Sequence, residues 1–302
     1  MGGVKIAITG SSGLIGSALT PALRADGHTV LRLVRRPPAA ADEARWDPDR
    51  HELDPAVLAD VDAVVNLAGA GIGDKRWSDE RKKTIMDSRV NATETVATAL
   101  AAEPRDGRVL LSGSAIGWYG DTGDTAVDET APVAGDYLAE ITRRWEGATE
   151  PAAEAGVRVA LLRTGLVCGR GGLLGRLIPL VKIGLGAPVG SGRQWWSWIS
   201  LADEVGAIRH LLTHDISGPV NLTGPAPLTN RDFTKVLGRV LHRPVLPVPV
   251  PVVALRVLFG EFADVGIAAG QRVLPRVLER SGYEFEHDTA EKALRWATTG
   301  AT

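Results

Sequence analysis

The segment from Thr9 to Gly16 constrains this chain more than any other, because it places three glycines between an apolar run and an amphipathic one. Val4–Ile8 is predicted as a strand, and Leu14–Ala25 as a helix that ends before Gly27. The glycines are three residues apart and lie where the strand gives way to the helix. A glycine-rich turn in this context is typical of a dinucleotide-binding βαβ unit.

Each glycine of the turn has its own physical role. Gly10 permits a tight turn, Gly13 lets the backbone approach a pyrophosphate, and Gly16 lets the helix pack closely on the strand. The helix N-terminus adds free N–H groups and a partial positive charge that favour phosphate. The residues predicted to bind the cofactor here are Thr9, Gly10, Gly13, Leu14, Ile15 and Gly16.

Short apolar runs alternate with longer amphipathic ones over the first two thirds of the chain. The predicted strands are Thr29–Val34, Ala63–Leu67, Val109–Leu111 and Val157–Leu162, and the predicted helices are Ser78–Ala101 and Tyr137–Ala155. Strands that alternate with helices form parallel sheets covered on both faces, with right-handed crossovers. The predicted fold class is therefore α/β, with a Rossmann-type doubly wound parallel sheet and a smaller C-terminal substrate lobe.

The pattern changes after Thr164, where glycines become frequent and the apolar runs become shorter. We predict a dinucleotide-binding domain at residues 1–165 and a smaller lobe, mainly for substrate binding, at 166–302. Residues 199–222 are expected to return to the first domain. The apolar stretch Val245–Phe259 contains three prolines and an arginine, which favours an extended segment leading into a helix over a membrane span.

Two arginines follow the second predicted strand, where an NAD-binding protein usually carries an acid for the ribose hydroxyls. Arg35 lies 19 residues after Gly16, Arg36 follows it, and no Asp or Glu occurs from 29 to 41. Guanidinium groups bind a 2′-phosphate through charge-assisted hydrogen bonds. The pattern favours NADP(H) over NAD(H), and solvated surface arginines are the alternative.

The overall charge excludes some partners. Lys and Arg number 34 against 36 Asp and Glu, a formal charge of −2, so neither nucleic acid nor a membrane is an expected partner. The single cysteine, Cys168, can form no internal disulfide and suits a cytoplasmic protein. The histidines are scattered, and no metal site is predicted. We expect a small-molecule substrate and a monomer or homodimer.

Several further motifs accompany the glycine turn. They are Asn66-Leu67-Ala68-Gly69, Arg76-Trp77, Ser88-Arg89-Val90, Leu111-Ser112-Gly113-Ser114-Ala115, Trp118-Tyr119-Gly120, Trp145-Glu146, Gly190-x-Gly192-x-Gln194 and Asp203-Glu204-Val205. Together they resemble the extended short-chain dehydrogenase/reductases, in the branch of NAD-dependent epimerase/dehydratase-like proteins. The resemblance spans nearly the whole chain and implies a fold and a cofactor, but it does not name a substrate.

The resemblance also implies further cofactor contacts. Asn66, Leu67, Ala68 and Gly69 are expected to pass beside the adenosine and the pyrophosphate. Arg89 stands where many extended members carry asparagine, in a helix behind the cofactor. Its guanidinium group is expected either to reach a phosphate or to pair with a carboxylate.

Enzymes of this group use a serine, a tyrosine and a lysine four residues after the tyrosine. Ser114 stands at the expected serine position, and Tyr137, 23 residues later, is a candidate for the tyrosine. The lysine position holds Ile141, so no cation at that position stabilises a phenolate. Tyr119 is a second candidate phenol, with aromatic packing as its alternative role.

Two functions therefore stay open. The first is an NADP(H)-dependent oxidoreductase or epimerase-like enzyme that acts on a small molecule between the lobes. The second, suggested by the missing lysine, is an NADP(H)-binding sensor or scaffold with little catalysis. The cluster Trp195, Trp196 and Trp198 is expected either to line the cleft or to pack at the lobe junction.

Overall fold

The central element is a seven-stranded parallel sheet. The computed structural model describes residues 3–299, so the outermost ends of the two predicted domains, 1–2 and 300–302, lie outside the described residues. In the order β11-β7-β5-β4-β1-β2-β3, the strands are Gly218–Leu222, Arg158–Thr164, Val109–Ala115, Ala63–Asn66, Lys5–Thr9, Thr29–Val34 and Glu43–Arg45. The predicted Rossmann-type sheet is confirmed.

Helices cover both faces of this sheet. The helices of residues 3–299 are α1 (Leu14–Ala25), α2 (Asp79–Ala102), α3 (Tyr137–Gly147), α4 (Glu150–Glu154), α5 (Gly172–Lys182), α6 (Leu201–Thr213), α7 (Asn230–Val240), α8 (Val252–Phe259), α9 (Arg276–Arg280) and α10 (Ala290–Thr299). Of these, α1 and α6 pack on one face of the sheet, and α2 and α4 pack on the other. Five of them begin after a side chain that accepts a backbone N–H of the first turn, namely Ser78, Asp136, Ser200, Thr229 and Thr289. Such caps stabilise a helix start because they satisfy a donor that has no partner within the helix.

The structure differs from the sequence prediction at two elements. The single helix expected over Tyr137–Ala155 is two helices, because the Thr149 hydroxyl donates to Glu146 O and Pro151, which lacks an N–H, follows at the next start. The edge strand Glu43–Arg45 was not predicted, because its three residues show no apolar alternation.

Two apolar cores flank the sheet. One, between the sheet and the pair α1 and α6, includes Ile8, Leu111, Leu162 and Ile208. The other, between the sheet and helices α2 and α4, includes Val64, Leu100 and Ala152. Side chains of one strand therefore alternate between the two faces. Ala160, Leu162 and hence Thr164 face α6, whereas the neighbouring Arg163 faces α3.

The later part of the chain contributes to the main sheet and also forms smaller units. Helix α6 packs on α1, and β11 pairs in parallel with β7. Three short strand pairs of the described residues lie outside the main sheet: β6 (Ala126–Val127) with β13 (Arg272–Val273), β8 (Leu166–Cys168) with β10 (Trp198–Ser200), and β9 (Trp195–Trp196) with β12 (Leu228–Thr229). The division into two lobes stays a prediction. No helix within residues 3–299 has the length and apolar character that a bilayer crossing requires.

The chain reverses its direction of travel across the sheet between β1 and β4. From β1 it runs outward through β2 and β3, and it then returns to β4 on the other side of β1. In open α/β sheets, ligands bind outside the carboxyl ends of the strands at such a switch point. A ligand-binding site is therefore expected at the loops that follow β1 and β4.

Candidate functional site

The three glycines of the first turn are held by different neighbours. Gly10 adopts a φ of +64°, and a Cβ there would lie 2.6 Å from the Leu67 carbonyl oxygen after β4. A Cβ on Gly16 would lie 2.4 Å from the Gly10 carbonyl oxygen. A Cβ on Gly13 would meet only that same oxygen, at 3.2 Å. The chain's own packing therefore requires glycine at 10 and 16 and leaves the space beside Gly13 open.

Helix α1 presents its N-terminus at this open space. Gly13 is the N-cap residue and carries no side chain to cap the helix, and the first turn contains no acidic residue. The first N–H groups of a helix have no partner within it and carry partial positive charge. The backbone at Leu14, Ile15 and Gly16 is thus available to a phosphate group.

A buried hydrogen-bond chain fixes the ends of β1 and β4. The Thr9 hydroxyl donates to Asn66 Oδ1 over 2.7 Å and accepts the backbone N–H groups of Leu67 and Ala68. Asn66 Nδ2 in turn donates to Thr93 Oγ1 over 2.8 Å. Because Thr9 and Asn66 are fully buried, their side chains set the path of the loop over residues 66–69 and do not line its surface.

Arg89 supports the same loop from α2. Its guanidinium group donates to the carbonyl oxygens of Ala70 (2.9 Å) and Ile85 (3.1 Å) and lies 5.0 Å from the Trp145 ring. No carboxylate lies within 4 Å of it among the described residues, so the expected alternative of a carboxylate pair is not seen. Burial first, and the nearby Arg81 second, lower the pKa of Arg89 to about 10.

The two arginines after β2 have different surroundings. Arg36 donates to both carboxylate oxygens of Glu43, over 2.8 and 2.6 Å. This bond is the main reason that the pKa of Glu43 falls to about 2. Arg35 is exposed and forms no ion pair within 4 Å in the described part of the chain. The sequence did not reveal this partner, because Glu43 lies beyond the stretch where a ribose-binding acid is expected.

Ser114 belongs to a buried polar network at the ends of β5 and β7. Its hydroxyl donates to Glu146 Oε1 over 2.6 Å, and Arg163 donates to both oxygens of the same carboxylate over 2.8 and 2.9 Å. All three side chains are buried. Since the Ser114 proton is committed to Glu146, its oxygen can accept a hydrogen bond but does not readily donate one.

Tyr119 extends this network toward β11. Its hydroxyl donates to Asn221 Oδ1 over 2.7 Å and accepts from Arg163 over 3.1 Å. The Arg163 guanidinium also lies 3.9 Å from the Trp118 ring. Burial raises the pKa of Tyr119, and the charge of Arg163 only partly opposes it. The Tyr119 hydroxyl group therefore already donates one hydrogen bond and accepts another within the protein.

Tyr137 lies on the other side of α3. It precedes Glu146 by nine residues, about two and a half turns, so the two side chains point in opposite directions from the helix. The Tyr137 ring packs against Trp77 and lies 5.0 Å from Lys82 Nζ, beside a surface pocket of about 530 Å³. Burial raises the pKa of Tyr137 despite Lys82. No hydrogen bond joins Tyr137 to Ser114 in the described residues, so the serine–tyrosine pair stays a prediction.

Thr164 and Glu204 form a pair that the sequence did not single out for chemistry. Thr164 ends β7 in register with Ala115 and is half-buried. Its hydroxyl donates to Glu204 Oε1 over 2.9 Å, while Glu204 Oε2 is buried and has no hydrogen-bond partner among the described residues. Burial raises the pKa of Glu204 to about 8. A carboxyl group whose raised pKa favours the protonated form near neutral pH therefore adjoins the hydroxyl of half-buried Thr164 at the carboxyl edge of the sheet.

The tryptophan cluster serves mainly as packing. Trp196 and Trp198 are buried in a core with Phe233. Trp195 is half-buried and donates from Nε1 to Asp124 over 2.8 Å. Within residues 3–299, no three His, Cys, Asp or Glu side chains are grouped as a metal site would require. Cys168 is buried, and burial raises its pKa well above the usual value.

Comparison with known proteins gives a family match over most of the chain. The model of the NAD dependent epimerase/dehydratase family matches residues 6–223, and a domain of unknown function (DUF1731) matches 250–297. An epimerase family protein of Mycobacterium bovis is 52% identical over 303 residues, which cover 99% of each chain.

Two solved structures are also similar. The crystal structure of human epimerase family protein SDR39U1 with NADPH superposes with a TM-score of 0.89 at 28% identity, covering 98% of this chain and 99% of that one. A nucleoside-diphosphate sugar epimerase from Corynebacterium glutamicum is 34% identical, with a TM-score of 0.79, over 97% of this chain and 59% of that one.

Proposed function

Because the chain belongs to the NAD dependent epimerase/dehydratase family, we propose that it binds NADP(H) at the switch point and acts as an oxidoreductase or epimerase-like enzyme on a small molecule. The open space beside Gly13, in front of the uncapped N-terminus of α1, carries this proposal. The substrate would lie between the sheet edge and the smaller lobe predicted at 166–302.

The choice of NADP(H) rests on the arginines and on a relative. Arg36 is engaged by Glu43, which leaves Arg35 as the more available partner for a 2′-phosphate. The similar human protein was solved with NADPH, which supports the same cofactor here. The backbone at residues 14–16 would hold the pyrophosphate, and the loop over Leu67, Ala68 and Gly69 would lie beside it.

NADPH, when bound, supplies a hydride to a carbonyl carbon. The matching proton would come from Thr164, whose hydroxyl would turn from Glu204 to the substrate carbonyl. Ser114 and Tyr119 are less suited, because their acceptors, the ion-paired Glu146 and the amide oxygen of Asn221, hold no proton to return. Glu204 would then return a proton to the Thr164 oxygen over the 2.9 Å bond and become a carboxylate. The carbonyl oxygen gains that proton and becomes an alcohol, and solvent reprotonates Glu204.

The second candidate function is an NADP(H)-binding sensor or scaffold. The observation that favours it is the ion pair of Glu146 with Arg163, which draws Ser114 into a buried network where the reacting groups of a dehydrogenase would be expected. Ile141, at the position expected for lysine, is also buried among apolar residues. Under this reading the cofactor changes the conformation of the chain and no substrate is turned over.

Hydride transfer decides between the two functions. NADPH oxidation is followed by absorbance with a panel of carbonyl compounds, for the wild type and for Ser114→Ala, Tyr119→Phe, Tyr137→Phe and Thr164→Val. We expect Thr164→Val to lower the rate about 10²–10⁴-fold, the usual effect of losing a positioned acid. Tyr137→Phe should leave the rate unchanged.

Three results would change this assignment. A large loss with Tyr137→Phe and none with Thr164→Val would return the proton donor to the phenol. Tight NADPH binding without turnover of any compound would favour the sensor. Absence of NADPH binding by calorimetry would overturn both functions.

A further inference from the structure

An exposed aliphatic surface, here called the apolar patch, lies on the C-terminal part of the chain. Of nine exposed large hydrophobic side chains among residues 3–299, all but Val4 belong to it. Its members are Leu180, Ile183, Leu185, Leu246, Val248, Val253, Val257 and Leu258, with Ile183, Val248 and Val257 about 70% exposed. Single exposed apolar residues are ordinary, but a group of this size usually marks an interaction surface.

The patch is built from neighbouring segments. The end of α5 adjoins the extended segment 243–251, because Arg243 Nε donates to Lys182 O over 2.9 Å and the Leu246 N–H donates to Gly186 O over 2.7 Å. Helix α8 begins directly after Pro251, and none of its eight residues is buried. The extended segment therefore runs beside residues 182–190, at and after the end of α5, and leads directly into α8.

The segments that carry the patch are purely cationic. No Asp or Glu occurs at 155–202 or at 233–260. From 165 to 202 and from 233 to 260, these stretches contain Arg170, Arg176, Lys182, Arg193, Lys235, Arg239, Arg243 and Arg256. Carboxylates within 4 Å neutralise three of these in the described part of the chain, namely Arg176, Lys235 and Arg256. The formal charge of −2 therefore conceals a cationic region.

A surface depression lies beside the patch. It has a volume of about 710 Å³, and three of its lining side chains, Lys235, Arg239 and Arg243, are cationic, against one acid, Asp232. Lys235 and Arg239 are one turn apart on α7, so their charges converge on the same side of the helix. Because Asp232 pairs with Lys235, Arg239 and Arg243 are the two cations of this depression that would bind a phosphate-bearing headgroup.

We propose that this face docks on an anionic lipid surface. The apolar patch enters the boundary between headgroups and acyl chains, and Lys182, Arg239 and Arg243 contact lipid phosphates at the rim. A protein partner fits less well, because the patch has no exposed aromatic anchor and consists of Leu, Val and Ile, residue types that seldom dominate protein interfaces. The expectation that a membrane is not a partner rested on net charge alone.

Vesicle co-sedimentation of the full chain tests this proposal. Phosphatidylcholine vesicles with and without phosphatidylglycerol are compared for the wild type, Ile183→Glu with Val257→Glu, and Lys182→Gln with Arg239→Gln. We expect binding only to vesicles with phosphatidylglycerol, weakened by salt, and a loss of at least about tenfold in each double variant. Val4→Glu, which changes the exposed valine outside the patch, is the matched control and should bind normally.

Fold integrity is checked by NADPH binding and circular dichroism, which substitutions at these exposed positions should leave unchanged. Wild-type protein that sediments with neither vesicle overturns the proposal. So does binding that survives Ile183→Glu with Val257→Glu, because cations alone would then explain it. Light scattering that finds a dimer, broken by the same double variant, would assign the patch to a second copy of this chain. Binding to poly-glutamate but not to vesicles would assign it to an acidic protein.

Discussion

Glycine residues of one turn serve two different purposes in this chain. Gly10 and Gly16 are required by backbone atoms of the chain itself, whereas only one atom approaches the Cβ position of Gly13. Gly13→Val should therefore leave the protein folded and abolish NADPH binding, because the side chain occupies the space for the pyrophosphate. Circular dichroism and calorimetric titration check this, with Gly147→Ala as a control in open helical surroundings. Normal NADPH binding by a folded Gly13→Val protein would show that the turn is misassigned.

Arg35 and Arg36 should have different functions, one in cofactor selectivity and the other in stability. Arg35→Ala should remove most of the preference for NADPH over NADH and leave the melting temperature unchanged, because Arg35 forms no ion pair in the described chain. Arg36→Ala should lower the melting temperature as well, because the Glu43 side chain is almost fully buried and loses its bidentate partner. Titrations with both dinucleotides and thermal unfolding measure the two effects. Equal affinity of the unmutated protein for NADPH and NADH would contradict the assignment.

Glu204 should make stability depend on pH. Its folded pKa of about 8 exceeds the usual 4.5, so between these values the folded protein keeps a proton that the unfolded chain has lost. Stability contributed by this group is fully present below the lower value and falls as pH rises through the window. Relative to the wild type, Glu204→Gln should gain unfolding free energy from pH 4.5 to 8, on the order of a few kcal/mol. A pH-independent difference in urea unfolding would show that Glu204 is ionised in the folded state.

At the level of elements, helix α3 shows what a sequence pattern can and cannot predict. Its start at Tyr137 was predicted correctly, because an acidic N-cap and apolar periodicity mark it. The side of α3 that faces the sheet could not be predicted from the sequence. Tyr137 and Glu146 lie on opposite sides of the helix, and Glu146 is turned inward by its ion pair with Arg163 of β7. A buried charge pair between distant elements has no local signature, so the serine–tyrosine pair stays a prediction without geometric support.

The buried pair predicts a large difference between two glutamates of α3. Glu146→Gln should destabilise the protein by about 3–5 kcal/mol, because it leaves the buried Arg163 without its counter-charge. Glu140→Gln, which breaks exposed pairs with Arg143 and Arg144, should cost no more than about 0.5 kcal/mol. Denaturant unfolding measures both. Similar small effects would mean that water reaches the Arg163 site.

For the whole molecule, the strand order could be predicted from general rules for α/β folds, whereas the hydrogen bonds of the candidate site could not. The glycine turn and the alternation of strands and helices suffice to predict a parallel doubly wound sheet. The bonds that define the candidate site join residues such as Tyr119 and Asn221, which are 102 positions apart. Such contacts arise only after β5, β7 and β11 are placed side by side. The clustering of cationic residues in the C-terminal part of the chain likewise cannot be inferred from a net formal charge of −2.

NADPH binding should raise the stability of the whole molecule, and contacts of α5 with the loop after β4 should affect how long the cofactor stays bound. NADPH binds the folded protein only, so at about 100 times its dissociation constant it should add about 2.7 kcal/mol and raise the melting temperature by several degrees. Arg176 of α5 donates to Gly73 O over 2.6 Å and pairs with Asp74, which joins α5 to the loop after β4. Arg176→Ala should therefore shorten the residence time of NADPH, while Arg143→Ala, on the exposed side of α3, should not. Thermal shift and stopped-flow fluorescence measure the two quantities. An unchanged dissociation rate in Arg176→Ala would mean that the loop after β4 holds the cofactor without help from α5.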